Sequence, residues 1–312
     1  MSGFTVVGDW GTTRLRLWGI AHGEVTGSNE GPGIGALTLS PAATLRAAMA
    51  PLLAVGGPPD RIVLCGMAGA RNGLHEAPYA ECPADADAWA SKCARLDFGG
   101  VPTTIVAGLA RHDPARQADD VMRGEETQVF GALMTRPALR RGRHQLLLPG
   151  THSKWVVIDD GWVTAFRTFI TGELFALLAR SSLLATGPAS EPSDRADHEA
   201  GFAKGLEQAQ SGSGLSGALF AARTAQLRQG RSPGWAKGYL SGLLIGHEIA
   251  EMASVKALSP DLTVIAAGDL ARLYLAALTR FGITGNRLDS EACTLAGLKL
   301  LDPGTLETGT RE

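Results

Sequence analysis

The segment Asp9-Trp10-Gly11-Thr12-Thr13-Arg14 lies between two apolar runs near the start of a chain of 312 residues. The first run, Phe4 to Gly8, is apolar and β-branched, and in the second, Leu15 to Ile20, apolar residues are interleaved with others such as Arg16. This pattern predicts two strands joined by a tight loop. Gly11 lets the backbone approach a ligand, and the hydroxyls of Thr12 and Thr13 add donors for phosphate oxygens. The segment therefore predicts a phosphate-binding hairpin, with an ordinary β-turn as the alternative. Asp9 would face a magnesium ion through water.

A second loop of this kind is Pro149-Gly150-Thr151-His152-Ser153-Lys154, between predicted strands at Gln145 to Leu148 and from Trp155. It offers a glycine, hydroxyls and an ammonium group in one turn, so Gly150, Thr151 and Lys154 are predicted phosphate contacts. His152 is equally well interpreted as a hydrogen-bonded loop residue. No other histidine lies at metal-ligand spacing, which argues against a zinc site. Because there is one such loop in each half, the sequence predicts that both loops bind the same polyphosphate.

A third feature is the run Val264 to Leu270, in which a predicted strand passes into a helix through Ala266-Ala267-Gly268. The small side chains leave room for a flat ring beside the backbone, which predicts that Gly268 contacts a nucleoside. Plain packing of the helix on the strand is the alternative interpretation.

Composition excludes several classes of protein. Hydrophobic residues make up 45% and charged residues 19%, which favours a globular chain over a disordered one. The 29 Lys and Arg balance 31 Asp and Glu, so nucleic acid is an unexpected partner. The four cysteines are scattered, which favours a reducing cytosol, and no apolar run approaches the roughly 18 residues that span a membrane. The 40 glycines exceed the usual share of about 7%, and the excess is assigned to turns and to loops that closely approach a ligand.

The order of predicted elements indicates an α/β protein in two halves. Ser40 as N-cap and Pro41 at the first position predict a helix that ends at Gly56-Gly57, and a strand at Arg61 to Cys65 leads into a glycine-rich loop. The polar stretch Arg111 to Asp119 is the predicted boundary between domains at residues 1–118 and 119–312. Gly31-Pro32-Gly33-Ile34-Gly35 lacks the dinucleotide-binding spacing and is interpreted as a flexible loop.

Six segments together resemble the 2-dehydro-3-deoxygalactonokinase family, within the actin, hexokinase and Hsp70 superfamily. They are DWGTTRLRLW, GMAGARNG with Ala77-Pro78-Tyr79, VMRGEETQ, LPGTHSKWV, FRTFITGEL and YLSGLLIGHEIA. The segments are long, ungapped and span nearly the whole chain, so they are more specific than the short D-x-G-T match alone.

The resemblance implies two ribonuclease H-like (actin-like ATPase) domains with a cleft between them. It also implies ATP- and Mg²⁺-dependent phosphorylation of 2-dehydro-3-deoxy-D-galactonate at its 6-hydroxyl, a step of galactonate catabolism. A kinase of another sugar or sugar acid on the same fold, and a sensor protein that binds sugar without catalysis, are the alternatives. The expected partner is the small sugar acid, without nucleic acid or membrane, and the expected state is a cytoplasmic monomer or homodimer.

The proton acceptor is sought in Gly124-Glu125-Glu126-Thr127-Gln128, because a primary hydroxyl needs a carboxylate to take its proton during phosphoryl transfer. Related sugar kinases carry a Gly-Asp-Gln helix start here, and Glu125 occupies the position of the catalytic Asp. Glu126 remains the neighbouring candidate. The alternative is that both glutamates only complement the positive end of a helix.

An anionic substrate needs a cation, and four arginines lie near the motif loops: Arg16, Arg71, Arg123 and Arg167. Arg167 is the first choice for the substrate carboxylate, with a salt bridge to Glu173 as the alternative, and Arg123 is the second predicted substrate contact. The Met67 to Asn72 loop resembles a sugar-contacting segment of related kinases, which implies that Met67 and Asn72 contact the substrate.

Overall fold

The computed structural model describes residues 3–185, 194–254, 258–259 and 261–301. These residues form two compact units. Unit 1 holds the described residues up to Arg143, together with Val156–Phe166 and those from Leu288 onward. Unit 2 holds His144–Trp155 and Arg167–Arg287.

The secondary structure alternates strands and helices as the sequence predicts. Within the described residues the strands are β1 Phe4–Trp10, β2 Arg14–Ala21, β3 Glu24–Pro32, β4 Arg61–Gly66, β5 Tyr79–Glu81, β6 Ala94–Asp97, β7 Pro102–Ile105, β8 Gly108–Asp113, β9 Ala118–Met122, β10 Arg143–Leu148, β11 Ser153–Asp159, β12 Trp162–Phe169, β13 Asp261–Ile265 and β14 Thr284–Leu288. The α-helices are α1 Pro41–Gly56, α2 Ala86–Ser91, α3 Glu125–Thr135, α4 Thr171–Ser181, α5 Arg195–Gln210, α6 Leu215–Leu219, α7 Ala221–Gln229, α8 Pro233–Ser254, α9 Gly268–Arg280 and α10 Ser290–Leu300.

Two sheets carry the same topology. The first has the order β3-β2-β1-β4-β7-β6 and the second the order β12-β11-β10-β13-β14. In each, three consecutive strands lie side by side, and a later strand joins parallel to the first of them, β4 to β1 and β13 to β10. This repeated order, with helices in the later connections, is that of the ribonuclease H-like fold. It confirms the predicted α/β class.

The first sheet is held by a continuous apolar core. Val6 and Trp10 of β1 and Leu17 of β2 are fully buried in this core. Helix α1 covers one face with Leu45, and it begins as predicted, with the Ser40 hydroxyl accepting a hydrogen bond from the Ala43 amide. These strands end at the hairpin that carries Asp9 and Gly11.

The polar stretch Arg111 to Asp119, at which the sequence predicts a domain boundary, forms a β-hairpin. Strands β8 and β9 pair antiparallel, and β5 pairs parallel with β8 to make a three-stranded sheet. The chain then continues within unit 1 into α3, which packs on α10. Glu125 and Glu126 therefore lie in unit 1, whereas the boundary predicted at residues 118 and 119 assigns them to the second half.

Glycine brings two helix pairs into backbone contact. A Cβ on Gly242 of α8 would lie 2.1 Å from the carbonyl oxygen of Phe202 on α5, and one on Gly205 of α5 would lie 2.2 Å from that of Tyr239. In unit 1, a Cβ on Gly131 of α3 would lie 1.8 Å from the carbonyl oxygen of Cys293 on α10. Part of the glycine excess thus serves helix packing, which corrects its assignment to turns and binding loops alone.

In unit 2, the helical pattern of the sequence predicts one helix from Leu215 to Arg228, but the structure has two, α6 and α7. The division lies at Phe220, whose amide donates to the Ala218 carbonyl instead of continuing the α-helical ladder. Within the described part of the chain, no helix is both long enough and apolar enough to cross a membrane.

Candidate active site

The first loop predicted to bind phosphate, Asp9 to Arg14, is a tight hairpin whose tip is exposed. The Gly11 amide donates to the Arg14 carbonyl at 2.7 Å, which closes the turn between β1 and β2. Thr12 and Thr13 are exposed at this tip, so their hydroxyls are accessible to a ligand. The loop has the form that the sequence predicts.

The segment Gly31 to Gly35 braces this hairpin, which corrects its interpretation as a flexible loop. The Ile34 amide donates to the Gly11 carbonyl at 3.1 Å, and the Gly35 amide donates to the Thr12 carbonyl at 2.9 Å. A Cβ on Gly33 would lie 2.4 Å from the Thr12 carbonyl oxygen, so only glycine allows this approach.

Asp9, next to the last residue of β1, has a half-buried carboxylate. Its Oδ2 pairs with Arg16 Nη2 at 2.6 Å, and Cys65 Sγ lies 3.7 Å from its Oδ1. Arg16 also lies 3.7 Å from Glu291 and is therefore already paired with carboxylates. Magnesium takes one or two carboxylates beside waters and substrate phosphates, so the single Asp9 carboxylate is a donor set that fits a water-mediated ion. The described residues contain no cluster of three or more metal-ligating side chains.

The glycine-rich loop after β4 lies against the start of α3. Gly66 has φ 71°, and a Cβ there would lie 3.2 Å from Asp9 Oδ1. A Cβ on Gly124, which has φ 113°, would lie 3.3 Å from the Gly66 Cα. Asp9 and the start of α3 therefore approach Gly66 from two sides, within unit 1. In the same loop Met67 is half-buried and Asn72 is exposed.

Glu125 and Glu126 occupy different environments. Glu125 is half-buried, and its Oε2 accepts a hydrogen bond from the Arg123 amide at 3.2 Å. Glu126 is fully buried, and both of its oxygens accept from the Gly124 amide at 2.7 and 2.8 Å. Burial, followed by the charge of Glu125, raises the pKa of Glu126 to about 8. Glu126 is therefore mostly protonated at neutral pH and is closed to a ligand.

Arg123 carries a guanidinium group without an ion pair among the described residues. Its Nη2 donates to the Ala77 carbonyl at 2.8 Å, and its Cζ lies 4.2 Å from the centroid of the Tyr79 ring. Its Nη1 is buried without a hydrogen-bond partner. The group lies beside Gly69 of the glycine-rich loop, because a Cβ there would come within 2.6 Å of Nη1.

The other arginines have carboxylate partners. Arg167 pairs with Glu251 of α8 and lies 4.8 Å above the Phe169 ring. Glu173, the partner considered for Arg167 from the sequence, pairs instead with His152 at 2.6 Å. Arg71 is exposed and lies 3.7 Å from Glu76.

The second phosphate loop joins β10 to β11 in unit 2 and packs on the start of α4. The Glu173 amide donates to the Thr151 carbonyl at 2.9 Å, and a Cβ on Gly172 would lie 2.2 Å from the Gly150 carbonyl oxygen. Thr151 is exposed. Lys154 is only 3% exposed and its ammonium lies 3.4 Å from the His152 carbonyl, so in this conformation it supports the loop.

A cavity of about 390 Å³ adjoins this loop in unit 2. Its lining combines apolar with polar and charged side chains: Gly150, Thr171, Gly172, Phe175, Arg195, His198, Ser241, Leu244, Ile245, Asp269, Leu270, Arg272, Leu273 and Tyr274. Gly268 precedes Asp269 at φ 57°, with no atom within 4 Å of its Cβ position. The loop predicted to contact a nucleoside thus lies at the edge of a cavity that begins at the second phosphate loop.

Sequence reasoning missed several residues around the cavity. Gly172, Thr171 and Tyr274 lie outside the two phosphate loops, and no spacing along the chain connects them with Gly150. Glu248 was also missed, although an acidic residue within the apolar helix pattern of α8 is a signal that a buried polar group is present.

Comparison with known proteins gives a consistent family. Residues 9–301 match the family model described as 2-keto-3-deoxy-galactonokinase. A Rhizobium meliloti protein named as a probable 2-dehydro-3-deoxygalactonokinase is 35% identical over 299 residues, which cover 95% of this chain and 96% of that protein. The 2-dehydro-3-deoxygalactonokinase of Escherichia coli is 32% identical over 296 residues, which cover 93% and 94%.

A solved structure supports the same relationship. The crystal structure of a protein described as a putative 2-dehydro-3-deoxygalactonokinase from Sinorhizobium meliloti superposes with a TM-score of 0.84 at 33% identity. The match covers 96% of this chain and 99% of that one.

Proposed function

The chain belongs to the 2-keto-3-deoxy-galactonokinase family of carbohydrate kinases, and we propose that it phosphorylates 2-dehydro-3-deoxy-D-galactonate at its 6-hydroxyl. The phosphoryl donor is ATP, and the products are ADP and 2-dehydro-3-deoxy-6-phosphogalactonate. The reaction is a step of galactonate catabolism. We place it in the cytoplasm, in a protein that acts as a monomer or homodimer.

The observation that carries the proposal is the set of groups around Gly66 in unit 1. The half-buried Glu125 carboxylate, the unpaired Arg123 guanidinium and the Asp9 carboxylate all belong to segments in contact with the loop from Gly66 to Gly69. A proton acceptor, a cation for an acidic substrate and a carboxylate for a hydrated metal ion are the groups that a sugar-acid kinase needs.

Glu125 is the proposed general base. As the 6-hydroxyl oxygen forms its bond to the γ-phosphorus, its proton passes to the Glu125 carboxylate, and the bond from the γ-phosphorus to the bridging oxygen of ADP breaks. Such proton acceptance contributes about 100- to 10,000-fold to the rate. Glu126 does not suit this role, since its carboxyl group is buried and keeps its proton at neutral pH.

Arg123 is the proposed partner of the substrate carboxylate. Its guanidinium is held by the Ala77 carbonyl and the Tyr79 ring and has no ion pair in the described chain, whereas Arg167 is neutralised by Glu251. Arg167 therefore becomes the second choice. Met67 and Asn72, on the loop that Arg123 contacts, are proposed to bind the sugar itself.

The nucleotide contacts are proposed for both phosphate loops. Thr12 and Thr13 in unit 1 and Thr151 in unit 2 offer exposed hydroxyls to phosphate oxygens, and Gly11 and Gly150 let phosphate come close to the backbone. Gly268 borders the cavity proposed for the nucleoside, and the charge of Lys154 favours phosphate nearby. Magnesium held by Asp9 through water would neutralise charge on the phosphate oxygens.

The test is ADP release by the purified protein with ATP, Mg²⁺ and 2-dehydro-3-deoxy-D-galactonate. We expect turnover that depends on the sugar acid and exceeds turnover with other aldonates. Higher activity on another sugar acid would support the alternative kinase. Binding of the sugar acid without any ADP release would support a sensor protein.

A further inference from the structure

Glu248 is an ionisable residue buried in the second half of helix α8, close to the cavity of unit 2. It is 3% exposed. Its Oε1 accepts a hydrogen bond from Trp155 Nε1 at 2.8 Å, and its Oε2 accepts from the Tyr274 hydroxyl at 2.8 Å and from the Thr171 hydroxyl. Burial raises the pKa of Glu248, while these donors oppose that rise.

The hydrogen bonds around Glu248 have a definite direction. Tyr274 donates its single hydroxyl proton to Glu248, so its oxygen can only accept from other groups. The Ser153 hydroxyl, 2.8 Å from the Tyr274 hydroxyl, therefore donates to it. The resulting chain runs from Ser153 through Tyr274 to Glu248, and Trp155 and Thr171 meet the same carboxylate.

The donors belong to the elements that build the proposed nucleotide site. Ser153 lies at the end of the second phosphate loop and Trp155 just after it, both on β11. Because side chains alternate along a strand, both point toward Glu248 while Lys154 points to the other face. Thr171 begins α4, whose Gly172 lies against the Gly150 carbonyl. Thr171 and Tyr274 also line the cavity of about 390 Å³.

We propose that Glu248 is a positioning residue for nucleotide binding, which holds the second phosphate loop, the start of α4 and Tyr274 of α9 in one arrangement. The inference rests on the proposed function, in that the cavity of unit 2 takes the nucleoside of ATP. Glu248 touches neither substrate and acts through the backbone of Gly150 and Thr151. Its loss should therefore weaken the binding of nucleotide and leave the binding of sugar acid unchanged.

The experiment compares ADP affinity, measured by calorimetry on the full chain, with the separate KM values for ATP and sugar acid. In Glu248→Gln, an amide NH2 group replaces one carboxylate oxygen. This group donates and cannot accept, so one or two of the present hydrogen bonds to Glu248 are lost. We expect ADP affinity to fall about tenfold or more and KM for ATP to rise in parallel, with KM for sugar acid within about twofold. Tyr274→Phe and Ser153→Ala, which remove one hydroxyl each, should shift the same quantities less.

Ile249→Val is the matched control, because Ile249 is the buried neighbour of Glu248 on α8 and belongs to the apolar core. It should lower the melting temperature without changing ADP affinity. Wild-type ADP affinity in Glu248→Gln would overturn the inference, as would an equal loss of ADP affinity in Ile249→Val. Failure of the wild-type protein to bind ADP would instead overturn the proposed function on which the inference rests.

Discussion

Adjacent glutamates at the start of α3 differ in what surrounds them, and this difference predicts opposite results for one substitution. In Glu125→Gln the proposed base is lost, so we expect kcat to fall about 100-fold or more while ADP still binds. In Glu126→Gln a neutral group replaces a carboxyl that is mostly protonated at neutral pH and can still accept from the Gly124 amide. Its kcat should stay within about tenfold of wild type. A coupled assay measures both, and near-normal turnover in Glu125→Gln would reject the base.

The raised pKa of Glu126 also predicts how stability depends on pH. Between its ordinary pKa of 4.5 and the folded value of about 8, the folded protein keeps a proton that the unfolded chain has lost. The free energy of unfolding should therefore decrease as pH rises through this window. Urea denaturation at about pH 5 and pH 8 should show a smaller decrease in Glu126→Gln than in wild type. Equal decreases in the two proteins would contradict a protonated Glu126.

The proposed contact of Arg123 with the substrate carboxylate predicts that its substitution weakens the binding of the sugar acid and not that of ATP. Lysine keeps the charge but lacks the planar group that binds a carboxylate with two parallel hydrogen bonds. We expect Arg123→Lys to raise KM for the sugar acid about tenfold, with KM for ATP within about twofold, in steady-state kinetics. Arg71→Lys is the control, because the Arg71 side chain is 90% exposed. A larger rise in KM for the sugar acid in Arg167→Lys would return the role to Arg167.

Sequence reasoning reached these residues but not the differences among them. Glu125 and Glu126 follow each other in a helix start, and which one is buried depends on the contacts of α3 with Gly66 and α10. The preference for Arg167 over Arg123 did not take the ion pair of Arg167 with Glu251 into account, because Glu251 is distant in sequence and contacts Arg167 only in the folded chain. Burial and ion pairing at this scale are tertiary properties.

At the scale of elements, the contact of α4 with the second phosphate loop predicts a steric effect. In Gly172→Ala the new methyl group would lie 2.2 Å from the Gly150 carbonyl oxygen, so the loop or the helix must shift. We expect weaker ADP binding in calorimetry. Gly217→Ala on α6 is the control, since a Cβ there has no atom within 4 Å and alanine favours the helix. Unchanged ADP affinity in Gly172→Ala would show that the loop position does not matter for binding.

Elements with a strong local signal were predicted well. The hairpin of β1 and β2 and the capped α1 appear at or within two residues of the predicted bounds. The short strands β5 and β6 and the hairpin of β8 and β9 were missed. Their polar residues have weak periodicity, and β5 contains only three residues, so pairing with neighbouring strands determines them.

At the scale of the whole molecule, the proposed groups for the sugar acid lie in unit 1 and the cavity proposed for the nucleoside lies in unit 2. We therefore expect the two substrates to protect different parts of the chain from hydrogen exchange. In hydrogen exchange, ADP should slow exchange in unit 2 around Thr171 and Tyr274, and the sugar acid should slow it in unit 1 around Gly69 and Arg123. A ligand at about 100 times its Kd stabilises a protein by roughly 2.7 kcal/mol, which is enough to measure. Protection of unit 1 alone by ADP would contradict a nucleoside site in the cavity of unit 2.

The repeated topology of the two sheets was predictable only through family resemblance. Local patterns predicted strands and helices in two halves, but the placement of a later strand beside the first depends on contacts across more than a hundred residues, as between Leu146 and Thr263. Contacts of that range leave no local pattern in the chain.

The glycine contacts between α5 and α8 bear on attempts to make a heat-resistant form of this enzyme. Replacement of helical glycines by alanine is a common stabilising strategy, because alanine gains up to about 1 kcal/mol in an open helix. At Gly205 and Gly242 the added methyl group would clash with the facing backbone and force α5 and α8 apart. Variants in which these glycines are replaced on the basis of helix propensity alone would therefore lose the packing of α5 on α8. Variants selected for thermal stability should retain glycine at both positions.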